Sequence, residues 1–179
     1  MFPLNTATFP VTADELCRRL NESLRNLFAL TRDPVSLREK SYPHLESLTV
    51  CLDGAQLPKR PPPRPTVAGA REPALTIDSL AVNAFPMLVG PASVDFQLAA
   101  REVELHQAID RDRQVLLLLH NAGKGRVEIA ADVSDLESLI AEVAELEAGK
   151  RGVKIDRVEL TIRSRDARSL AAASPSARR

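Results

Sequence analysis

The stretch that decides the fold is VDFQLAAREVELHQAIDRDRQVLLLLHNAGKGRVEI, residues 94–129. Apolar residues alternate with polar residues from Val94 to Leu98, and again over residues 102–106 and 126–129. A period of two is typical of β-strands that bury one face. Because no helical pattern separates these segments, they predict neighbouring antiparallel strands in one sheet.

The centre of this stretch, Val115–Leu119, is apolar at every position and therefore predicts a strand that is covered on both faces. Two arrangements satisfy this requirement. The strand lies in a filled core between two layers, or it lines the partly filled inner surface of a curled sheet, which leaves a groove for a lipid. The groove would be lined by Val94, Phe96, Leu98, Leu116 and Leu118. After this strand, residues 121–125 predict a hairpin loop.

Two amphipathic helices accompany the strands. The first is predicted from Thr12 to about Thr31, because leucines recur at helical spacing and Thr12 with Glu15 forms a capping box. Asp33-Pro34 is expected to stop this helix. Its apolar stripe contains Leu16, Leu20, Leu24, Leu27 and Leu30.

The second helix is predicted over Asp135–Ala148, with Ser134 and Glu137 as its capping box. A closing strand is expected over residues 153–162. Together these patterns predict a single α+β domain over residues 1–166, with a curved, mostly antiparallel sheet of about five to seven strands. The Ala-, Ser- and Arg-rich tail, residues 167–179, is expected to be disordered.

Five of the eight residues in the segment 58–65 are prolines, which predicts an exposed loop or linker of polyproline II character. Lys59, Pro62 and Pro65 match the basic-x-x-Pro-x-x-Pro pattern that aromatic grooves of partner proteins bind. The alternative interpretation is a rigid spacer without a partner.

The composition restricts the function. Hydrophobic residues make up 44% of the chain and aromatic residues 3%, so the core must consist mainly of aliphatic side chains. The 24 basic and 24 acidic residues balance, which argues against nucleic-acid binding. The two cysteines, Cys17 and Cys51, are expected to be free thiols, with a single disulfide as the alternative. No signal peptide or membrane-spanning segment is expected, which indicates a cytoplasmic or peripheral membrane protein.

No motif of catalysis or of cofactor binding occurs in the sequence. Zinc-ligand spacings, a nucleophile elbow and a phosphate-binding loop are all missing, so we expect no enzyme, metal or cofactor. His44, His106 and His120 lie apart from one another. Glu102, Glu104 and His106 would share a strand face, either as a metal or acid–base cluster or as the polar outer face of the sheet.

A resemblance to a known family rests on the order of these segments. Alternating strands such as residues 77–82 and 94–98 precede VSDLESLI, residues 133–140, and GVKIDRVEL, residues 152–160. This series resembles the bacterial DUF2993 family, which is related to the tubular lipid-binding (TULIP) proteins. The resemblance implies a long curled sheet around a helix, with an apolar groove for acyl chains. The chain departs from the family in its Pro-rich segment and in the missing export signal.

Three functions therefore remain open at this level. The first is binding of a lipid or another apolar ligand at a membrane surface. The second is a protein-interaction or assembly module without a small ligand, and the third is an enzyme. A continuous apolar groove would favour the first function, and convergent polar groups in a cleft would favour the third.

Overall fold

A computed structural model describes residues 2–57, 65–90, 92–138, 140, 163–166 and 169–171. The elements are β1 (Phe2–Pro3), α1 (Ala13–Phe28), β2 (Val35–Ser41), β3 (His44–Cys51), β4 (Gln56–Leu57), β5 (Glu72–Val89), β6 (Ala92–Ile109), β7 (Val115–Ala122), β8 (Gly125–Ala131), α2 (helical over 133–138), β9 (Arg163–Asp166) and β10 (Ser169–Ala171). The predicted α+β class is confirmed.

The main sheet has eight strands in six positions, in the order β1-β7-β6-β5-β3-β2. The two remaining strands share a position with another strand. β4 pairs with β5 beyond the end of β3, and β8 pairs with β6 beyond the end of β7. Most pairings are antiparallel, as predicted. The exception is β5, which runs parallel to both β3 and β4.

The length of chain between Leu57 and Val67 shows that the sheet is strongly curved. Leu57 lies beside Val89 at one end of β5, whereas Val67 pairs with Asp110 beyond the other end. The ten-residue step from Leu57 to Val67 can span at most about 36 Å. The 18-residue strand β5 measures roughly 56 Å along its path. The two ends of β5 must therefore approach each other, which a flat sheet would not allow.

Bulges interrupt the long strands and contribute to the bending of the sheet. The pairing of β5 with β6 shifts register between Pro73 and Leu75, and again between Ala84 and Met87. The pairing of β6 with β7 shifts register between Glu104 and Leu105. An extra residue in one strand of a pair bends that strand and increases its twist.

The predicted hairpin at residues 121–125 is wrong, because the chain does not reverse there. Both β7 and β8 run antiparallel to β6 in one register, with Ala122 opposite Val103 and Gly125 opposite Ala100, so the chain continues in the same direction. The Arg101 carbonyl accepts a hydrogen bond from the Gly123 amide at 3.0 Å, and the Arg101 amide donates to the Lys124 carbonyl at 2.8 Å. A Gly-containing interruption of an alternating pattern fits both a turn and an irregular position within a continuous strand, and only the partner strand distinguishes them.

Helix α1 covers one face of this sheet. Leu16, Leu20 and Leu24 are buried, and they form the main core together with leucine, isoleucine and valine side chains of β3, β5, β6 and β7. The Thr12 side chain accepts a hydrogen bond from the Glu15 amide at 3.2 Å, which confirms the predicted cap. The helix ends at Phe28, three residues before the predicted end, because Ala29 adopts a left-handed conformation with φ of 51°.

Helix α2 begins earlier than predicted. Residue 133 is already helical, and the Leu136 amide donates to the Asp132 carbonyl at 3.0 Å. Ser134 therefore lies inside the helix and not at its cap, so the predicted capping box is wrong. The N-cap position is Asp132, because its backbone carbonyl accepts the first hydrogen bond of the helix.

Several sequence predictions lie wholly or partly outside the described residues. They concern the remainder of α2, the closing strand over 153–162 and most of the Pro-rich segment, including Lys59 and Pro62. Ser169–Ala171 form a strand that pairs with Arg163–Asp166, and the rest of the predicted disordered tail is not described. Both cysteines are free thiols. Within the described part of the chain, no helix has the length and apolar character needed to cross a membrane.

Candidate functional site

An apolar groove lies between the C-terminal half of α1 and the curved sheet. Its volume is about 370 Å³, and all fourteen side chains that line it are leucine, valine or phenylalanine. They come from the helix, from the first strand and from four central strands. The lining residues are Phe2, Leu20, Leu24, Leu27, Phe28, Leu48, Val50, Leu52, Leu75, Leu80, Val82, Leu105, Leu117 and Leu119.

The helical side of the groove follows from the spacing of the leucine stripe. Leu20 and Leu24 are buried against the sheet, whereas Leu27 and Phe28, in the last turn, remain only half-buried. All four side chains line the groove, and the two in the last turn are those that the sheet covers least.

The strand side of the groove depends on which face each residue of the all-apolar strand presents. Leu117 and Leu119 lie on the helix-facing side, and Leu119 is 63% exposed at the rim of the groove. Its cross-strand partner, Leu105, also lines the groove. An exposed leucine beside half-buried aliphatic neighbours marks the open side of the groove.

The five predicted groove residues are not brought together, and none of them lines this groove. Val94, Phe96 and Leu98 lie on one face of β6, and Phe96 packs against the main core. Leu98 pairs with Val82, so it adjoins the groove without lining it. Leu116 and Leu118 lie on the opposite face of the sheet.

Leu116 and Leu118 belong to a second, smaller cluster, where they are buried with Ala108 and contact Val67. The sequence could not show which face of the sheet each residue of this strand occupies, because Val115–Leu118 are apolar and buried on both faces. The residues that were missed, Leu117 and Leu119, are the intervening positions of the same run. The sequence did indicate the helical side of the groove, because the leucine stripe of α1 continues to Leu27, which lines it.

The polar cluster predicted around His106 lies on the sheet face that is opposite the groove. The His106 and His120 rings stack with their centroids 3.8 Å apart. Both rings and Glu104 line a separate pocket of about 240 Å³. Glu102 does not line this pocket, and its backbone is left-handed with φ of 54°. Among the described residues, no group of three or more His, Cys, Asp or Glu side chains is placed to hold a metal ion.

None of the groups with shifted pKa values lines the groove. Burial, with Glu15 and Glu39 nearby, raises the pKa of Tyr42 to about 12. Burial also raises the pKa of Cys17. Hydrogen bonds from the Cys51 thiol and the Phe85 amide lower the pKa of Asp53. The described residues that line the groove include no titratable side chain.

The lining determines what the groove is able to do chemically. Among the described lining side chains there is no nucleophile, no general base and no hydrogen-bond donor. The lining supplies apolar surface, which binds apolar groups by removing them from water. Comparison of the chain with protein-family models, with curated proteins and with solved structures finds no match.

Proposed function

We propose that the protein binds a long apolar ligand, of the kind of a lipid acyl chain, in the groove between α1 and the sheet. The observation that carries this proposal is the uniformly aliphatic and aromatic lining of a groove of about 370 Å³. The proposed role is non-catalytic, and the resemblance to lipid-binding proteins in the order of the segments is consistent with it.

The chemistry of the lining favours a ligand that is apolar over most of its length. Each Å² of apolar surface removed from water contributes about 25 cal/mol. A polar group placed inside the groove would lose its hydrogen bonds to water and find no replacement among the lining side chains, which costs at least about 1 kcal/mol. The polar end of a lipid would therefore remain at the open side, near Leu119.

The first test asks whether the protein carries such a ligand. Native mass spectrometry of the purified chain is expected to show a bound species with the mass of a lipid. Extraction with an organic solvent should remove this species, and addition of a long-chain fatty acid should restore a one-to-one complex. A protein that shows neither a co-purified lipid nor a complex with the added fatty acid would contradict the proposal.

The second test locates the bound chain. The sequence contains no tryptophan, so a single introduced Trp reports on its own surroundings. A brominated fatty acid is expected to quench the fluorescence of Leu119→Trp, at the rim of the groove. The matched control is Val133→Trp, which is also exposed, at 56%, but does not line the groove. Equal quenching of the two variants would place the ligand elsewhere.

A further inference from the structure

Strand β8 is an edge strand among the described strands, and its side chains are exposed. It pairs with β6 along one edge, and within the described part of the chain no strand pairs with its other edge. Every residue from Gly125 to Ala130 is exposed. An exposed edge presents unpaired amide and carbonyl groups in the spacing that another strand needs, so it is a template for pairing with a further chain.

The two faces of β8 differ in chemistry. Val127 and Ile129 are 57% and 65% exposed, and they lie opposite Leu98 and Phe96 on the helix-facing side of the sheet. The other face carries Arg126 and Glu128, whose side chains form an ion pair with each other. The strand thus offers an apolar face and a face with one charge of each sign, two residues apart.

We propose that β8 pairs with β8 of a second copy of this chain, in an antiparallel arrangement centred on Val127. In a continuous sheet the two strands are related by a two-fold axis perpendicular to the sheet, and residues that lie opposite each other point to the same face. The centre must therefore fall on a residue and not between two residues, which leaves few registers.

Charge complementarity selects one of these registers. Centring on Arg126 places two arginines opposite each other, and centring on Glu128 places two glutamates opposite each other. Centring on Val127 places Arg126 opposite Glu128 of the partner subunit, and the two-fold axis repeats this pair. The same register brings the two Val127 side chains together and places Ile129 over Gly125 of the partner subunit, where there is room for it.

This pairing does not depend on the proposed ligand. It would satisfy the edge of β8 that pairs with no described strand, and it would cover two exposed apolar side chains, neither of which lines the groove. Cross-strand pairs of opposite charge stabilise a sheet, and like charges directly opposite each other destabilise it. The interface is therefore specific for a second β8 in this register.

Charge exchange tests the register. Sedimentation velocity of the full chain over a range of concentrations is expected to show a monomer–dimer equilibrium. Arg126→Glu and Glu128→Arg each replace two attractive pairs by two repulsive pairs, so each should raise the dimer dissociation constant by about tenfold or more. The double variant, Arg126→Glu with Glu128→Arg, restores the opposite charges and should recover most of the dimer.

The matched control is Arg111→Glu, which makes the same change of charge at an exposed position between β6 and β7. It should leave the dissociation constant within about twofold of that of the wild-type chain, since surface charges elsewhere contribute little. Circular dichroism would show that all variants remain folded. A wild-type chain that is monomeric up to about 1 mM, or a dimer that the single exchanges leave unchanged, would overturn the proposal.

Discussion

Two adjacent leucines of β7 have opposite environments and should respond differently to truncation. Leu118 is 8% exposed in the small cluster behind the sheet, whereas Leu119 is 63% exposed at the rim of the groove. Leu118→Ala leaves a cavity and should cost about 2–5 kcal/mol of unfolding free energy. Leu119→Ala removes little buried surface and should cost about 1 kcal/mol or less.

Urea unfolding of the ligand-free variants measures these losses, because bound ligand would stabilise the folded state. Binding of an added fatty acid should show the reverse order, with Leu119→Ala weakening it and Leu118→Ala leaving it unchanged. Weaker binding by the Leu118 variant alone would indicate that the ligand lies on the other face of the sheet.

The phenol of Tyr42 should titrate far above its ordinary range. Burial is the main cause of its raised pKa, and the Tyr42 hydroxyl donates a hydrogen bond to the Pro10 carbonyl at 2.6 Å. Tyr42 is the only tyrosine of the chain, so the ultraviolet absorbance of tyrosinate reports on this residue alone. We expect a midpoint at about 12 in the folded protein and about 10 in urea.

The sign of the effect on stability follows from the direction of the shift. The folded state raises the pKa of Tyr42, so it favours the neutral phenol. This contribution is fully present below the unfolded pKa and is lost as the pH rises through the folded pKa of about 12. A folded-state midpoint near the value in urea would show that the hydroxyl is accessible to water and that its bond to Pro10 is not maintained.

At the scale of the elements, bulges bend the long strands of the sheet. The pairing of β5 with β6 shifts register twice, and the pairing of β6 with β7 shifts once. Each such bulge bends a strand and increases its twist. The curvature of the sheet beside α1, where the groove lies, depends in part on these bulges.

The junction of β7 with β8 should tolerate a methyl group at one glycine and not at the other. A Cβ at Gly123 would lie 3.2 Å from the Glu102 Cβ and 3.3 Å from the Arg101 carbonyl oxygen. Gly123→Ala should therefore destabilise the fold by about 1–3 kcal/mol, as overpacking does. The matched control is Gly125→Ala, whose Cβ would meet its nearest neighbour at 3.7 Å.

Thermal or urea unfolding compares these two variants. The Gly125 variant should be neutral or slightly stabilised, because alanine reduces the conformational freedom of the unfolded chain. If both variants lose the same stability, the close approach of Gly123 to β6 is not the reason for glycine at that position.

At the scale of the whole molecule, the groove couples ligand binding to stability. A ligand that binds only the folded state stabilises it by about 2.7 kcal/mol at a free concentration one hundred times its dissociation constant. A long-chain fatty acid should therefore raise the melting temperature of the delipidated protein. Val82→Trp, which fills the groove with a larger side chain, should reduce this increase, whereas Val133→Trp should not.

Calorimetry or a fluorescence-based thermal shift would measure the increase at several ligand concentrations. The expected increase grows with the logarithm of the ligand concentration above the dissociation constant. An increase of equal size in the Val82 and Val133 variants would mean that the fatty acid stabilises the protein through another surface.

The sequence determined the elements, because their signals are local. The leucine stripe and the Thr12 cap specify α1, and the alternation in residues 94–129 specifies strands without intervening helices. The α+β class and the presence of apolar surface on both sides of Val115–Leu119 followed from these patterns alone.

The tertiary structure decided which apolar residues form the core and which form the groove. An all-apolar run shows no alternation of apolar and polar residues, so the sequence does not assign its residues to the two faces of the sheet. Leu117 and Leu119 could therefore not be distinguished from Leu116 and Leu118 until their partner strands were known. The interruption at Gly123 likewise lies within a continuous strand and not in a hairpin, because β6 continues past it as a partner for β8. Facing and pairing are relations between distant segments, and a local pattern does not contain them.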